Sequence, residues 1–142
     1  MLRIVCGLVG GLLVAAPLSA QTHPCDTTQP TTYQIRRDQA VRVGFCHSQQ
    51  EDDGTPIALG QIRFRVMTTT NTLIADLGLL SPVTGANAAG LYYFESPSRF
   101  FTADVNLLVT AEFNAVVVPS TPILVDVRGG PKAPSGVRVT LP

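Results

Sequence analysis

The chain has 142 residues, with ten Lys or Arg and ten Asp or Glu, so its formal net charge is zero. No block of like charge stands out, which leaves nucleic acid and anionic membrane surfaces without an electrostatic footprint. Apolar residues make up 45% and Trp is absent, a composition suited to one domain with a real core.

The first twenty residues read as an export signal. Arg3 gives a positive start, Ile4 to Ala16 is uncharged and apolar, and Leu18-Ser19-Ala20 sets small residues before a cut at Gln21. The apolar run is shorter than the roughly 20 residues of a spanning helix, so no membrane span is expected after cleavage. Without Arg3 the remainder carries nine basic and ten acidic side chains, a net charge of −1. The predicted location is extracellular or periplasmic. Two of the three cysteines remain, Cys25 and Cys46, and in an oxidising compartment they are expected to form one disulfide. Closing that loop would add about 3 kcal/mol in a chain-entropy account.

Residues 21–30 form a polar leader punctuated by Pro24 and Pro30. Tyr33 and Ile35 alternate with polar residues in a first edge strand. Val41, Val43 and Phe45 then share one strand face, with Arg42, Gly44 and Cys46 on the other. If the first set faces the core, Cys46 points away from it, and the disulfide pins the leader to the outside of a sheet. Glu51-Asp52-Asp53-Gly54 is a turn signal within a hydrophilic connection. Ile62, Phe64 and Val66 alternate with Arg63, Arg65 and Met67, the cleanest short strand of the first half. Leu73 to Leu80 and Leu91 to Glu95 are further strands. The firmest pattern runs from Asp104 to Val127: Val105, Leu107, Val109, Ala111 and Phe113 alternate with Asp104, Asn106, Leu108, Thr110, Glu112 and Asn114, and Ile123, Val125 and Val127 resume the pattern after Pro119, Ser120 and Pro122. Its buried face needs partners, and Val41-Val43-Phe45 and Ile62-Phe64-Val66 are the faces to supply them.

About seven strands and no amphipathic helix imply an all-β chain, with residues 31–128 as one antiparallel β-sandwich. Residues 129–142 are expected to be a tail or the start of a missing domain. The run Val109, Ala111, Asn114, Pro119-Ser120-Thr121-Pro122, Ile123-Leu124-Val125 resembles the last hairpin of a fibronectin type III or related immunoglobulin-like domain. Ala133-Pro134-Ser135-Gly136-Val137-Arg138-Val139 resembles the way such a domain begins. The resemblance implies an immunoglobulin-like or fibronectin type III-like sandwich, although Asn114 falls three residues after Ala111 and Asn106 stands near where a Tyr is expected.

Residues able to carry chemistry are few. His23 and His47 neighbour the two cysteines, and a Cys2His2 set is able to hold zinc; the disulfide is the preferred reading. A hydrolase would have to use His23 or His47 as its base, without a Gly-x-Ser-x-Gly elbow to present a serine. Glu51, Asp52 and Asp53 form a solvated turn rather than a calcium site, which needs oxygens from several directions. No catalytic residue, metal or cofactor is therefore expected. Arg63 and Arg65, with Arg42 beside them and exposed aromatics nearby, form a candidate binding face for a protein or carbohydrate. Val116, Val117, Val118 and Pro119 form a second candidate, an exposed loop tip at one end of the sandwich. The expected function is a secreted, non-enzymatic module for adhesion, surface assembly or ligand binding. The alternatives are a small exported hydrolase or metal-dependent enzyme, or an accessory-domain fragment of a larger exported enzyme.

Overall fold

The structure is a computed structural model that describes residues 21–129 together with 138 and 140. The export signal, and all but a few residues of the segment 129–142, lie outside the described residues. After one turn of 3₁₀ helix at Pro24–Asp26, eight strands follow. They are β1 (Thr32–Arg36), β2 (Gly44–His47), β3 (Arg63–Thr68), β4 (Leu73–Gly78), β5 (Tyr92–Glu95), β6 (Val105–Phe113), β7 (Val116–Pro119) and β8 (Ile123–Arg128). The chain is all-β.

Among the described residues one sheet has the order β1-β8-β6-β3-β4, with β7 also on β6, and the second holds β2 and β5. The large sheet is mixed, which corrects the wholly antiparallel arrangement expected. β1 runs parallel to β8, Tyr33 standing opposite Val125. A hairpin forces antiparallel pairing, but these two strands lie at opposite ends of the domain sequence, so no turn constrains their direction.

The alternation reads as expected where both faces have distinct environments. Ile62, Phe64 and Val66 of the β3 segment are buried, and so are Leu107 in β6 and Val125 in β8. Val43, just before β2, and Phe94 of β5 are buried in the same two core clusters. Three rings join the sheets: Phe64 lies 4.8 Å from Phe45 and 4.9 Å from Phe94, and Phe45 stacks on Phe94 at 5.3 Å. Each buried ring contributes on the order of 1.5–3 kcal/mol of apolar transfer, enough for a two-stranded sheet to be held mainly by its inner face.

The stretch expected to be a loop tip is instead a strand. Asn114 and Ala115 both take the left-handed conformation, φ 50° and 63°, and close a two-residue turn between Phe113 and Val116. Two successive left-handed residues define the hairpin turn whose twist matches its strands. The usual sequence mark, a glycine at the second position, is missing, so the turn was not legible. β7 then pairs with β6 from Phe113–Val116 to Thr110–Pro119. Farther on, β8 pairs with the same side of β6, Leu107 opposite Ile123 and Val105 opposite Val125. The register slips by one residue between the two pairings. Ser120 fills the slip: its N–H donates to Val109 O (2.8 Å) and its hydroxyl accepts from Val109 N–H (3.0 Å).

Candidate functional site

The arginine face is an ion-paired surface divided between the two sheets. Arg63 donates to both oxygens of Asp76, at 3.2 and 2.6 Å. Arg65 pairs with Glu112 and stands 3.6 Å from Asp76. Asp76 is held at about 2, chiefly by the Arg63 hydrogen bonds and next by the N–H of Gly78. Arg42 is not beside them: it flanks β2 of the small sheet and donates to Glu95 (3.2 Å) and to Ser98 Oγ (3.2 Å). The aromatics do not complete the row either, because Phe94 is buried and Tyr92 packs on the inner cluster.

The leader is fixed by several side chains. Cys25 and Cys46 form a disulfide with Cα atoms 6.0 Å apart, and Cys46 is exposed. The bond therefore lies on the outside of β2, as the parity of Val41, Val43 and Phe45 requires. His23 accepts the N–H of Cys25 at Nδ1 (3.1 Å), so its Nε2 carries the proton and donates to Gly85 O (2.8 Å). Thr84 Oγ1 lies 2.9 Å from the same nitrogen, which has no lone pair left to deprotonate it. Beside the leader, Tyr93 lies across Gly44 and donates to Glu95 Oε1 at 3.1 Å. An apolar cleft of 530 Å³ runs between the leader and β2, bordered by Tyr33, Tyr93, Phe45 and Val125.

His47 faces the other side of β2. Its ring meets Phe64 edge-on at 5.5 Å. Burial pushes its pKa below the ordinary value, and Nδ1 accepts the N–H of Gln49 at 2.9 Å. It does not join His23 and the cysteines: among the described residues no three His, Cys, Asp or Glu side chains gather as a metal ion requires. Nor does any helix of the described residues have the length and apolarity to cross a membrane.

The second candidate region is better defined. All four residues of β7 are exposed, with Val116, Val117 and Val118 at 64, 49 and 59%. Val116 and Val118 are paired with Phe113 and Ala111, so their side chains share the inward side of the sheet. There the small sheet does not reach, and a cleft of 470 Å³ opens. Its lining brings together buried Ile57 and Ile62, Phe113, Val116 and Val118 of the β6–β7 hairpin, and His47, Glu51 and Asp52 at the end of β2 and in the connection after it. Asp53 binds the N–H of Thr55 (2.8 Å) and closes the turn with Gly54. Among the described residues, the carboxylates of Glu51 and Asp52 meet no cation and no donor.

Sequence reasoning singled out Val116 to Pro119 but missed the cleft. Ile57 lies in a polar connection without alternation, yet its N–H donates to Gln49 O (2.7 Å) and its side chain is buried. Arg99 was also unmarked: it reaches Ile74 O (2.8 Å), lies over the Phe101 ring at 5.6 Å, and keeps Nε buried without a partner. No protein-family model, curated protein or solved structure matches the chain.

Proposed function

We propose that the chain is an exported, non-enzymatic binding module of immunoglobulin-like architecture, and that it holds a protein partner at β7 and the adjoining cleft. The strand order supports the architecture. In variable-type immunoglobulin sandwiches a sheet with strands G, F, C and C′ faces a sheet containing B and E. Here β8-β6-β3-β4 faces β2-β5, so that β2 and β5 take the places of B and E and β6 that of F. Export is supported by the signal pattern of residues 1–20 and by a disulfide of the kind that persists in oxidising compartments.

The observation that carries the binding reading is three exposed valines in a row on a strand edge that no described residue pairs. Sheet proteins commonly blunt such edges with charge or cover them, and an uncovered apolar edge marks an interaction site. By contrast, Arg63 and Arg65 already have carboxylate partners within the chain. The test is photo-crosslinking in the producing cells, with the reactive residue at position 117 or, as control, at position 34 in β1. Discrete protein adducts from 117 and none from 34 are expected; adducts of equal yield from both, or none from 117, overturn the reading.

A further inference from the structure

We propose that the occupant of this site is an extended, basic peptide segment that adds to β7 as a further strand and lays alternate side chains over the cleft. The inference rests on the binding reading above and specifies the partner's chemistry.

The backbone supplies the first argument. The two-residue turn makes Phe113–Val116 a pair that exchanges both hydrogen bonds, and Ala111–Val118 the next such pair. The Ser120 N–H on Val109 O continues that parity. Val117 is therefore the residue whose N–H and C=O point away from β6, toward an edge without a partner among the described residues. Pro119 occupies the next outward position, where its missing N–H breaks no bond to β6. An added strand thus finds one complete donor–acceptor pair at Val117 and one further carbonyl at Pro119. In strand addition, main-chain bonds hold the peptide and pockets for alternate side chains select it. Val116 and Val118 border such a pocket.

Charge supplies the second. The chain carries no ionisable side chain from Phe113 to Val125, so the edge itself repels nothing. The lining of the cleft also includes Glu51 and Asp52, whose carboxylates meet no cation among the described residues. A lysine or arginine in the added strand would meet both, with its stem over the apolar lining. A second copy of this chain would instead bring its own Glu51 and Asp52 toward the same edge and set Pro119 near Val117, which disfavours self-pairing.

The probe is a fluorescent eight-residue peptide of alternating valine and threonine with lysine at both ends, titrated by anisotropy against the purified protein. A partner with glutamate at both ends, and a lysine peptide N-methylated at alternate amides, are the comparisons. Saturable binding of the lysine peptide is expected, about threefold to tenfold tighter than the glutamate peptide, as two partly exposed ion pairs allow. Glu51→Gln with Asp52→Asn should abolish that preference. Val117→Pro should weaken binding about tenfold through the lost edge N–H, with the urea midpoint little changed because no bond to β6 is removed. The N-methylated peptide places the same block in the probe and needs no variant to fold. Equal binding of lysine and glutamate peptides, or undiminished binding of the N-methylated peptide, overturns the inference. If adducts still form at position 117, the surface stands and only the peptide chemistry falls; if neither adducts nor peptide binding are seen, both fall.

Discussion

Gly44→Ala tests how the leader side of the small sheet is packed. A Cβ at Gly44 would stand 2.8 Å from Cζ and 2.9 Å from Cε2 of Tyr93, whereas carbon atoms rest at about 3.5–4.0 Å. The ring has to move by roughly 1 Å. That shift pulls the hydroxyl off Glu95 Oε1, now 3.1 Å away. Overpacking of this kind costs about 1–3 kcal/mol, offset by about 0.5–1 kcal/mol because alanine loses less backbone entropy than glycine in a strand. The expected net loss is on the order of 1–2 kcal/mol. Leucine at position 93 lacks both of those ring atoms and the hydroxyl. In a Tyr93→Leu background, Gly44→Ala should therefore change sign and stabilise the fold by about 0.5 kcal/mol. Urea unfolding of the four proteins with the disulfide intact, followed by circular dichroism, measures the cycle. A second readout is Tyr93 itself. Burial raises its pKa, and the hydrogen bond to Glu95 adds to the shift, so in Gly44→Ala the phenol should ionise at lower pH by ultraviolet absorbance. Equal losses in the two backgrounds would refute the claim that the tyrosine ring is what requires glycine.

Two further expectations concern the turn and the ion pairs. Ala115 is held at φ 63°, a conformation that costs an L-residue about 1–2 kcal/mol; allowing for the freer unfolded chain, Ala115→Gly should stabilise by about 0.5 kcal/mol. A lower urea midpoint for that variant would show that the turn is not the one described. Asp76 has a folded pKa of about 2 against an ordinary 3.8, so its contribution is complete above pH 4 and fades as pH falls toward 2. Wild type should exceed Asp76→Asn in denaturation midpoint at pH 7, with the gap closing between pH 4 and pH 2; a gap that stays constant would exclude this carboxylate as the source.

The legible parts of the fold were those where burial alone sets the pattern. Ile62-Phe64-Val66 and Val43-Phe45 alternate because one face meets the other sheet, and a period of two records that directly. Cys46 followed from the same parity. Ile57 and Phe101 escaped because each is a single core residue delivered by a loop, without a period to read. The separation of Arg42 from Arg63 and Arg65 escaped for another reason: parity assigns a face within a strand but not the sheet to which the strand belongs. Of the site, the exposure of Val116 to Val118 was legible and its geometry was not, since Ala115 hides a hairpin turn that glycine would have announced.

The one-residue slip at Ser120 connects fold to site. Before it, Val116 and Val118 face inward; after it, Ile123 and Val125 do. Even-numbered and odd-numbered residues thus exchange faces across Ser120-Thr121-Pro122, and both halves of the interrupted strand keep their apolar side chains on the same side of the sheet. The halves differ in what lies opposite. β8 has β1 on its outer edge and the small sheet over its inner face, and Val125 is buried. Among the described residues β7 has no strand on its outer edge, and its inner face borders the cleft. An inward parity without a cover is the state of a core position awaiting its second layer. On the proposed reading a partner supplies that layer; surface apolar residues are ordinarily scattered singly, and these three stand in a row.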